Sequence, residues 1–256
     1  MQTMSNGNST MNGILANRRA IVTGASRGIG RAIAEGFAGA DAAVGCLARD
    51  ETRLAEVDAS IRTAGGTAYW ATCDVALTEQ VDAAMRSLTD RLGGLDILVV
   101  NAGIELEKAA VVDSDPTKWA AVLNTNLIGA YHCLRAATPF LRASGDGRVI
   151  VVGSGMGHKG AAGSSAYCVS KAGLWMLTRV FAQEVVDQGI AVNELIPGPV
   201  DTDMTRWSAT QGERPATWAT EWFKQPEEVV PLALFMAGQP AGGPTAQSYS
   251  LMRRDN

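Results

Sequence analysis

The run from Ser154 to Lys171, SGMGHKGAAGSSAYCVSK, holds a serine, a tyrosine and a lysine at a spacing that lets them act on one atom. Tyr167 and Lys171 stand four residues apart in a helical pattern that continues through Leu174, Leu177, Phe181 and Val185, so both side chains leave one helix face. Ser154 follows an apolar run, Arg148 to Val152, that reads as a buried strand. Its hydroxyl is thereby delivered to the carboxyl edge of a sheet, where open α/β folds keep their ligands. A free phenol ionises near pH 10 and needs a neighbouring ammonium to favour the phenolate. Lowering it by about three units takes about 4 kcal/mol of differential stabilisation, toward which a lysine charge contributes in a partly desolvated cleft. The chemistry implied is proton exchange with a hydroxyl or carbonyl oxygen, to which Ser154 donates a hydrogen bond. A Tyr and Lys at this spacing also occur on solvated helix faces, so the pair acquires meaning only from the elements around it.

Those elements have to fit in 256 residues, the size of one large α/β domain. Hydrophobic residues make up 46% and charged residues 19%, which supplies a sizeable core and excludes a disordered chain. A net charge of −4 with no Lys/Arg cluster argues against nucleic acid and against an anionic membrane surface as partners. Cys46, Cys73, Cys133 and Cys168 show no Cys-x-x-Cys spacing and there are two histidines, so the cysteines read as reduced thiols and no metal is implied. Residues 1–12 are polar and lack a signal-peptide pattern, and no run approaches a membrane span; a flexible arm and a cytoplasmic location are expected.

Arg19 to Thr23 reads as a strand and is followed by Thr23-Gly24-Ala25-Ser26-Arg27-Gly28-Ile29-Gly30 and a helical pattern. Strand, glycine turn and helix together suit a phosphate, because glycines admit backbone N–H groups and the helix dipole favours the anion. Alternation continues with strands at 42–48 and 67–72 and helices at 51–63 and 78–92, then an apolar strand at 95–100 that ends in Asn101-Ala102-Gly103. Asp115-Pro116 starts a helix expected to run to Leu141 with Asn126 inside it, a position that calls either for a buried functional role or for a structural bond to a neighbouring loop. A strand at 190–196 closes on Pro197-Gly198-Pro199, and a helix at 226–237 and a strand at 247–251 complete about seven strands. Between them Met204 to Gln225 carries Trp207, Trp218 and Trp222, as expected of a lid over an apolar or aromatic substrate.

Thr23-Gly24-x-x-x-Gly28-x-Gly30, Asp74, Asn101-Ala102-Gly103, Asn126, Ser154, Tyr167-x-x-x-Lys171 and Pro197-Gly198 stand in the order and at the separations of the short-chain dehydrogenases/reductases, which the chain resembles over roughly residues 13 to 251. The resemblance implies one Rossmann-type doubly wound α/β domain over 13–256, with a seven-stranded parallel sheet flanked by helices and residues 204–225 as substrate lid. It also implies hydride transfer between a nicotinamide dinucleotide and a small-molecule ketone or secondary alcohol. By the same resemblance Tyr167 is the general acid/base and Lys171 lowers its pKa and holds the nicotinamide ribose. Ser154 is the substrate-oxygen donor, and Asn126 holds a water in a proton relay. Gly24, Ser26, Arg27, Gly28, Ile29 and Gly30 correspond to the pyrophosphate turn, Asp74 and Val75 to adenine contacts, and Asn101, Ala102 and Gly103 to the ribose-side turn. Pro197, Gly198, Val200 and Thr202 correspond to the nicotinamide side.

Two departures stand out: Gly153 where a Ser or Thr is usual, expected to enlarge the pocket floor, and a carboxyl end without Asp-Gly-Gly. At the end of the second strand, Leu47-Ala48-Arg49-Asp50 has Ala48 where an NAD-selective site keeps an acid, and Arg49 with Arg27 is expected to clamp a 2′-phosphate, hence NADP(H) over NAD(H). Asp50 is expected to begin the next helix. A carrier-linked 3-oxoacyl reductase and a non-catalytic dinucleotide-binding scaffold or sensor are the alternatives. The first would favour a basic lid rim, whereas Arg206, Arg214 and Lys224 are matched by Glu213, Glu221, Glu227 and Glu228. The helix from Pro116, apolar nearly all round, predicts a homo-oligomer, tetramer or dimer.

Overall fold

The computed structural model describes residues 13–205, 221–240 and 242–252; the arm expected over 1–12 and the lid residues Trp207 and Trp218 lie outside the described residues. Seven strands, β1 (Arg19–Thr23), β2 (Ala43–Ala48), β3 (Thr67–Thr72), β4 (Ile97–Val100), β5 (Gly147–Val152), β6 (Ile190–Ile196) and β7 (Ser248–Ser250), form one sheet in the order β3-β2-β1-β4-β5-β6-β7. Every neighbouring pair is parallel. β4, β5 and β6 are buried along their whole length, which explains their nearly unbroken apolar sequence: helices cover both faces.

On one face α1 (Gly28–Gly39), α2 (Glu51–Thr63) and α8 (Val230–Ala237) enclose a core built on Val22, Ile33, Phe37, Leu54 and Leu234. On the other, α3 (Thr78–Leu92), α5 (Gly129–Ser144) and α7 (Ser165–Val185) pack Val81, Met85, Leu134, Leu174 and Phe181 against Leu98 and Val151. This is the seven-stranded, helix-flanked Rossmann arrangement. Strand order reverses between β1 and β4, and a crevice opens at their carboxyl ends.

The helix expected from Pro116 to Leu141 is not uniform. α4 (Pro116–Leu123), started by Asp115 accepting from the N–H groups of Thr117 and Lys118, passes into a π-helical turn, Asn124–Ile128, before α5 begins. Gly129 donates its N–H to the Asn124 carbonyl across that turn. A π turn holds one residue more than an α turn and is common beside functional sites. The expected helix at 226–237 opens as a 3₁₀ turn, Pro226–Val229, because Gln225 and Glu228 form a reciprocal cap there. A short helix, α6 (Met156–Lys159), lies between β5 and α7. Ile128 and Tyr131, and Val169, Met176 and Val180 of α7, are exposed apolar side chains.

Candidate active site

The glycine turn is fastened to the end of β4. The Thr23 hydroxyl accepts from the N–H groups of Asn101 (2.9 Å) and Ala102 (3.1 Å), and the Asn101 amide donates to the carbonyls of Thr23 (2.9 Å) and Gly24 (3.3 Å). Gly24 has φ +66°, and a Cβ there would come within 2.9 Å of the Ala102 Cα, so only glycine permits the turn. A Cβ on Gly30 would overlap the Gly24 carbonyl. The first turn of α1 has no side-chain cap and no acidic residue, which leaves its N–H groups for a phosphate.

A cavity of about 810 Å³ runs from this turn to Lys171. Gly24, Ser26, Arg27, Gly28, Ile29, Arg49, Asp74, Val75, Asn101, Ala102 and Gly103 line it, with Tyr167, Lys171, Pro197 and Thr202 at the far side. Gly30, Asn126, Ser154, Gly198 and Val200 are not among its walls. Gly30 and Gly198 (φ +67°) shape backbone behind it, and Val200 is buried and bridges to Lys224. Sequence reasoning missed Arg53, Ile104, Thr125 and Asp203, all of which line the cavity. Arg53 could have been found, since Asp50 reads as the start of the next helix and Arg53 falls in its first turn, three residues on.

The guanidinium arrangement differs from the expected two-sided clamp. Arg27 is paired with Asp203 (2.8 Å) and Arg49 stands largely exposed, 4.0 Å from Asp74. Arg53 joins them, reaching Asp50 (3.4 Å) and Asp203 (3.7 Å). Asp50 caps α2 by accepting from the Arg53 N–H (3.1 Å). Three guanidinium groups, each with a carboxylate partner, therefore line the cavity near the end of β2.

Tyr167 is partly buried at the cavity wall. Burial pushes its phenol up to about 12, against the expected lowering; the hydrogen bond with Ser154 acts to lower it, and the Glu105 carboxylate raises it further. Lys171 does not supply the expected depression, because it is itself buried and its pKa is lowered to about 8, with Glu194 acting in the opposite sense. The ammonium donates to the Val152 carbonyl at 2.8 Å and lies 5.8 Å from the centre of the Tyr167 ring. A protonated phenol at neutral pH is the form needed to give a proton to a carbonyl oxygen. The Ser154 hydroxyl also accepts from the Met156 N–H (3.2 Å) at the start of α6.

Asn126 is fully buried in the π turn. It accepts from the Ile104 N–H (2.8 Å), donates to the Ile104 carbonyl (2.9 Å) and donates to Ser170 (3.0 Å), whose hydroxyl donates to the Tyr167 carbonyl (2.8 Å). Through these bonds Asn126 ties the loop after β4 to the turn of α7 that carries the tyrosine.

Gly153 does not enlarge the floor. A Cβ there would overlap the Glu194 carboxylate, which fills the space. Despite the missing Asp-Gly-Gly, the carboxyl end is docked on β6: Asn193 donates to the Pro244 carbonyl (2.7 Å), Gln247 N–H donates to Asn193 (2.9 Å), and the Ser248 hydroxyl donates to Glu194 (2.6 Å). Trp222 is exposed and stacks on the Lys224 ammonium (4.5 Å), away from the cavity walls, while Met204 and Gln225 at the two ends of the expected lid do line them. Among the described residues no cluster of His, Cys, Asp and Glu suits a metal ion, and no helix is long and apolar enough to cross a membrane.

Sheet order, uncapped helix and tyrosine-bearing cavity define a dinucleotide-binding oxidoreductase of the Rossmann class. The chain belongs to the short-chain dehydrogenase family, whose model matches residues 18–212. It is 34% identical to the 3-oxoacyl-(acyl-carrier-protein) reductase FabG of Vibrio harveyi over 91% of this chain and 95% of that one. It is 35% identical to the cis-4-hydroxycyclohexanecarboxylate dehydrogenase of Sinomonas cyclohexanicum, covering 88% and 91%. A short-chain type dehydrogenase/reductase from Mycobacterium marinum superposes with a TM-score of 0.85 at 32% identity, covering 92% and 94%.

Proposed function

We propose that the protein is an NADP(H)-dependent reductase of small-molecule ketones, with the reverse oxidation of the secondary alcohol available to the same site. The observation that carries this reading is Tyr167 on the wall of a cavity continuous with the glycine turn, beside the buried Lys171 and with Ser154 at the end of β5 behind that wall. The uncapped first turn of α1 would hold the pyrophosphate, and Arg49 and Arg53 the 2′-phosphate. When bound, the dinucleotide supplies the hydride. Tyr167 donates its proton to the carbonyl oxygen as negative charge develops, and Ser154 donates a hydrogen bond to that oxygen. Lys171, held by the Val152 carbonyl, keeps a positive charge near the phenol as its proton leaves. Asn126 fixes the helix turn beneath Tyr167 through Ser170.

Similarity to FabG of Vibrio harveyi favours a second reading, in which the ketone is part of an acyl chain on a carrier protein. Similarity to a dehydrogenase of a cyclic hydroxy acid favours a free small molecule at comparable identity. Nothing basic among the described cavity walls beyond Arg27, Arg49, Arg53 and Lys171 calls for an acidic carrier, so the free ketone ranks first. Assaying the purified protein with free aliphatic, cyclic and aromatic ketones and with carrier-linked 3-oxoacyl substrates, each with NADPH and NADH, separates the readings. Turnover confined to the carrier-linked substrates would replace the first reading with the second.

A further inference from the structure

Glu194 is the one charged residue of β6, a wholly buried strand, and is itself only 1% exposed. A buried carboxylate is costly unless it is paired or hydrogen-bonded. Ser248 of β7 donates to it (2.6 Å), and His158 of α6 places Nε2 at 3.0 and 3.2 Å from its two oxygens. The histidine ring packs on Trp175 of α7, centres 5.1 Å apart, and Arg179 lies over the other ring of that stack at 5.5 Å while donating to the Ala246 carbonyl. Just beyond β5, Gly153 sets no side chain against the carboxylate, and a Cβ there would collide with it. The remaining charged group it acts on is Lys171 of α7, which it favours in the ammonium form.

The carboxylate thus lies behind the residue that precedes Ser154, and its histidine partner sits on the short helix that follows Ser154. We infer that Glu194 and His158 are positioning residues for the reaction: the pair takes the place of the side chain absent at Gly153, fixes the segment carrying Ser154 from both sides, and sets the electrostatic field at Lys171. This rests on the reductase reading for its consequence in turnover, but its two effects on the protein itself can be measured without a substrate. Neither residue touches the cavity; each acts through a neighbour.

The deciding variant is Glu194→Gln, which keeps the shape and most hydrogen bonds and removes the charge. Without the carboxylate Lys171 loses its proton at lower pH. The alkaline fall in kcat should therefore begin earlier, with turnover at about pH 8.5 cut about threefold more than at about pH 6.5, and KM for NADPH unchanged. Glu194→Asp, which retains the charge, should restore the wild-type limb. Nitrogen-15 NMR of lysine-labelled protein reads the Lys171 titration directly, with no substrate, so its failure is distinct from failure of the reductase reading. Should Glu194→Gln not fold, His158→Gln loosens the Ser154 segment from the solvent side and should lower kcat about tenfold with little change in thermal midpoint. An unmoved Lys171 titration in Glu194→Gln, or wild-type kcat in His158→Gln, would overturn the inference and leave the pair as internal packing.

Discussion

The Lys171 ammonium is 5.8 Å from the centre of the Tyr167 ring, yet its hydrogen bond runs to the Val152 carbonyl at the end of β5. The helix register makes the two side chains neighbours, and the strand end decides where the charge sits. Burial leaves the phenol protonated and the lysine close to losing its proton, with values of about 12 and about 8. Ketone reduction needs both protons in place. Its turnover should be full below about pH 8 and fall above it as Lys171 becomes neutral. A kcat profile flat to about pH 10 would remove Lys171 from the mechanism.

Tyr167→Phe deletes the proton donor while leaving the ring that lines the cavity. Turnover should fall by about 10² to 10⁴, with NADPH binding by fluorescence and the thermal midpoint nearly unchanged. Retention of more than about a tenth of the activity would contradict the assignment.

Arg49 and Arg53 border the end of β2, and both are substantially exposed, which reduces the strength of their bonds to a phosphate. Replacing either by Ala should weaken NADPH binding about tenfold, just under the range for hydrogen bonds to charged groups because of that exposure, and NADH binding much less. Equal losses for the two dinucleotides would assign these arginines to the common part of the cofactor, and a wild-type preference for NADH would overturn the NADP(H) reading.

Alkaline stability has a definite sign. Burial raises the thiols of Cys46 and Cys73 from 9.0 to about 12 and that of Cys133 higher still. Above pH 9 the unfolded chain releases these protons while the native chain holds them, so each thiol lowers stability as pH rises. Lys171 acts the other way between about 8 and 10.5, where the unfolded chain holds a proton the native one has released. Burial also raises Cys168 and the Tyr167 phenol and lowers Lys224, so four thiols and a phenol outweigh two lysines: the urea midpoint should change little from about pH 8 to 9 and then fall. The triple Cys→Ala variant, whatever its absolute stability, should show a flatter decline. An unchanged slope in that variant would assign the loss to other groups.

The exposed apolar residues Ile128, Tyr131, Val169, Met176 and Val180 predict self-association. Light scattering at micromolar concentration should find a dimer or tetramer, and Met176→Glu should shift it toward monomer. A wild-type monomer would show that this face stays open to water.

The strands, the glycine turn and the Tyr167 helix were legible because each announces itself by local pattern: apolar runs between turns, φ-demanding glycines, and a four-residue spacing. What escaped depends on contacts between distant segments. Glu194 reads as a lone charge in a strand until His158 and Ser248 close around it, and Gly153 reads as a gap until that carboxylate fills it. The direction of the Tyr167 shift could not be read from its distance in sequence to Lys171, since it is set by how deeply both are buried. Arg53 belongs to the first turn of α2, beyond the strand end, and it is the fold that brings it to the cavity wall.

The π turn at Asn124–Ile128 has a consequence in rotational phase. One extra residue in a helix turns everything beyond it by about 100°. As built, Asn126 faces Ile104 and Ser170 while Cys133, Leu134 and Ala137 face the core. In a regular α-helix the two sets could not both point inward at the places where they are needed. Removing a single residue from that turn would therefore change no other side chain's chemistry, yet it would force the chain to give up either the core of α5 or the clasp beneath Tyr167.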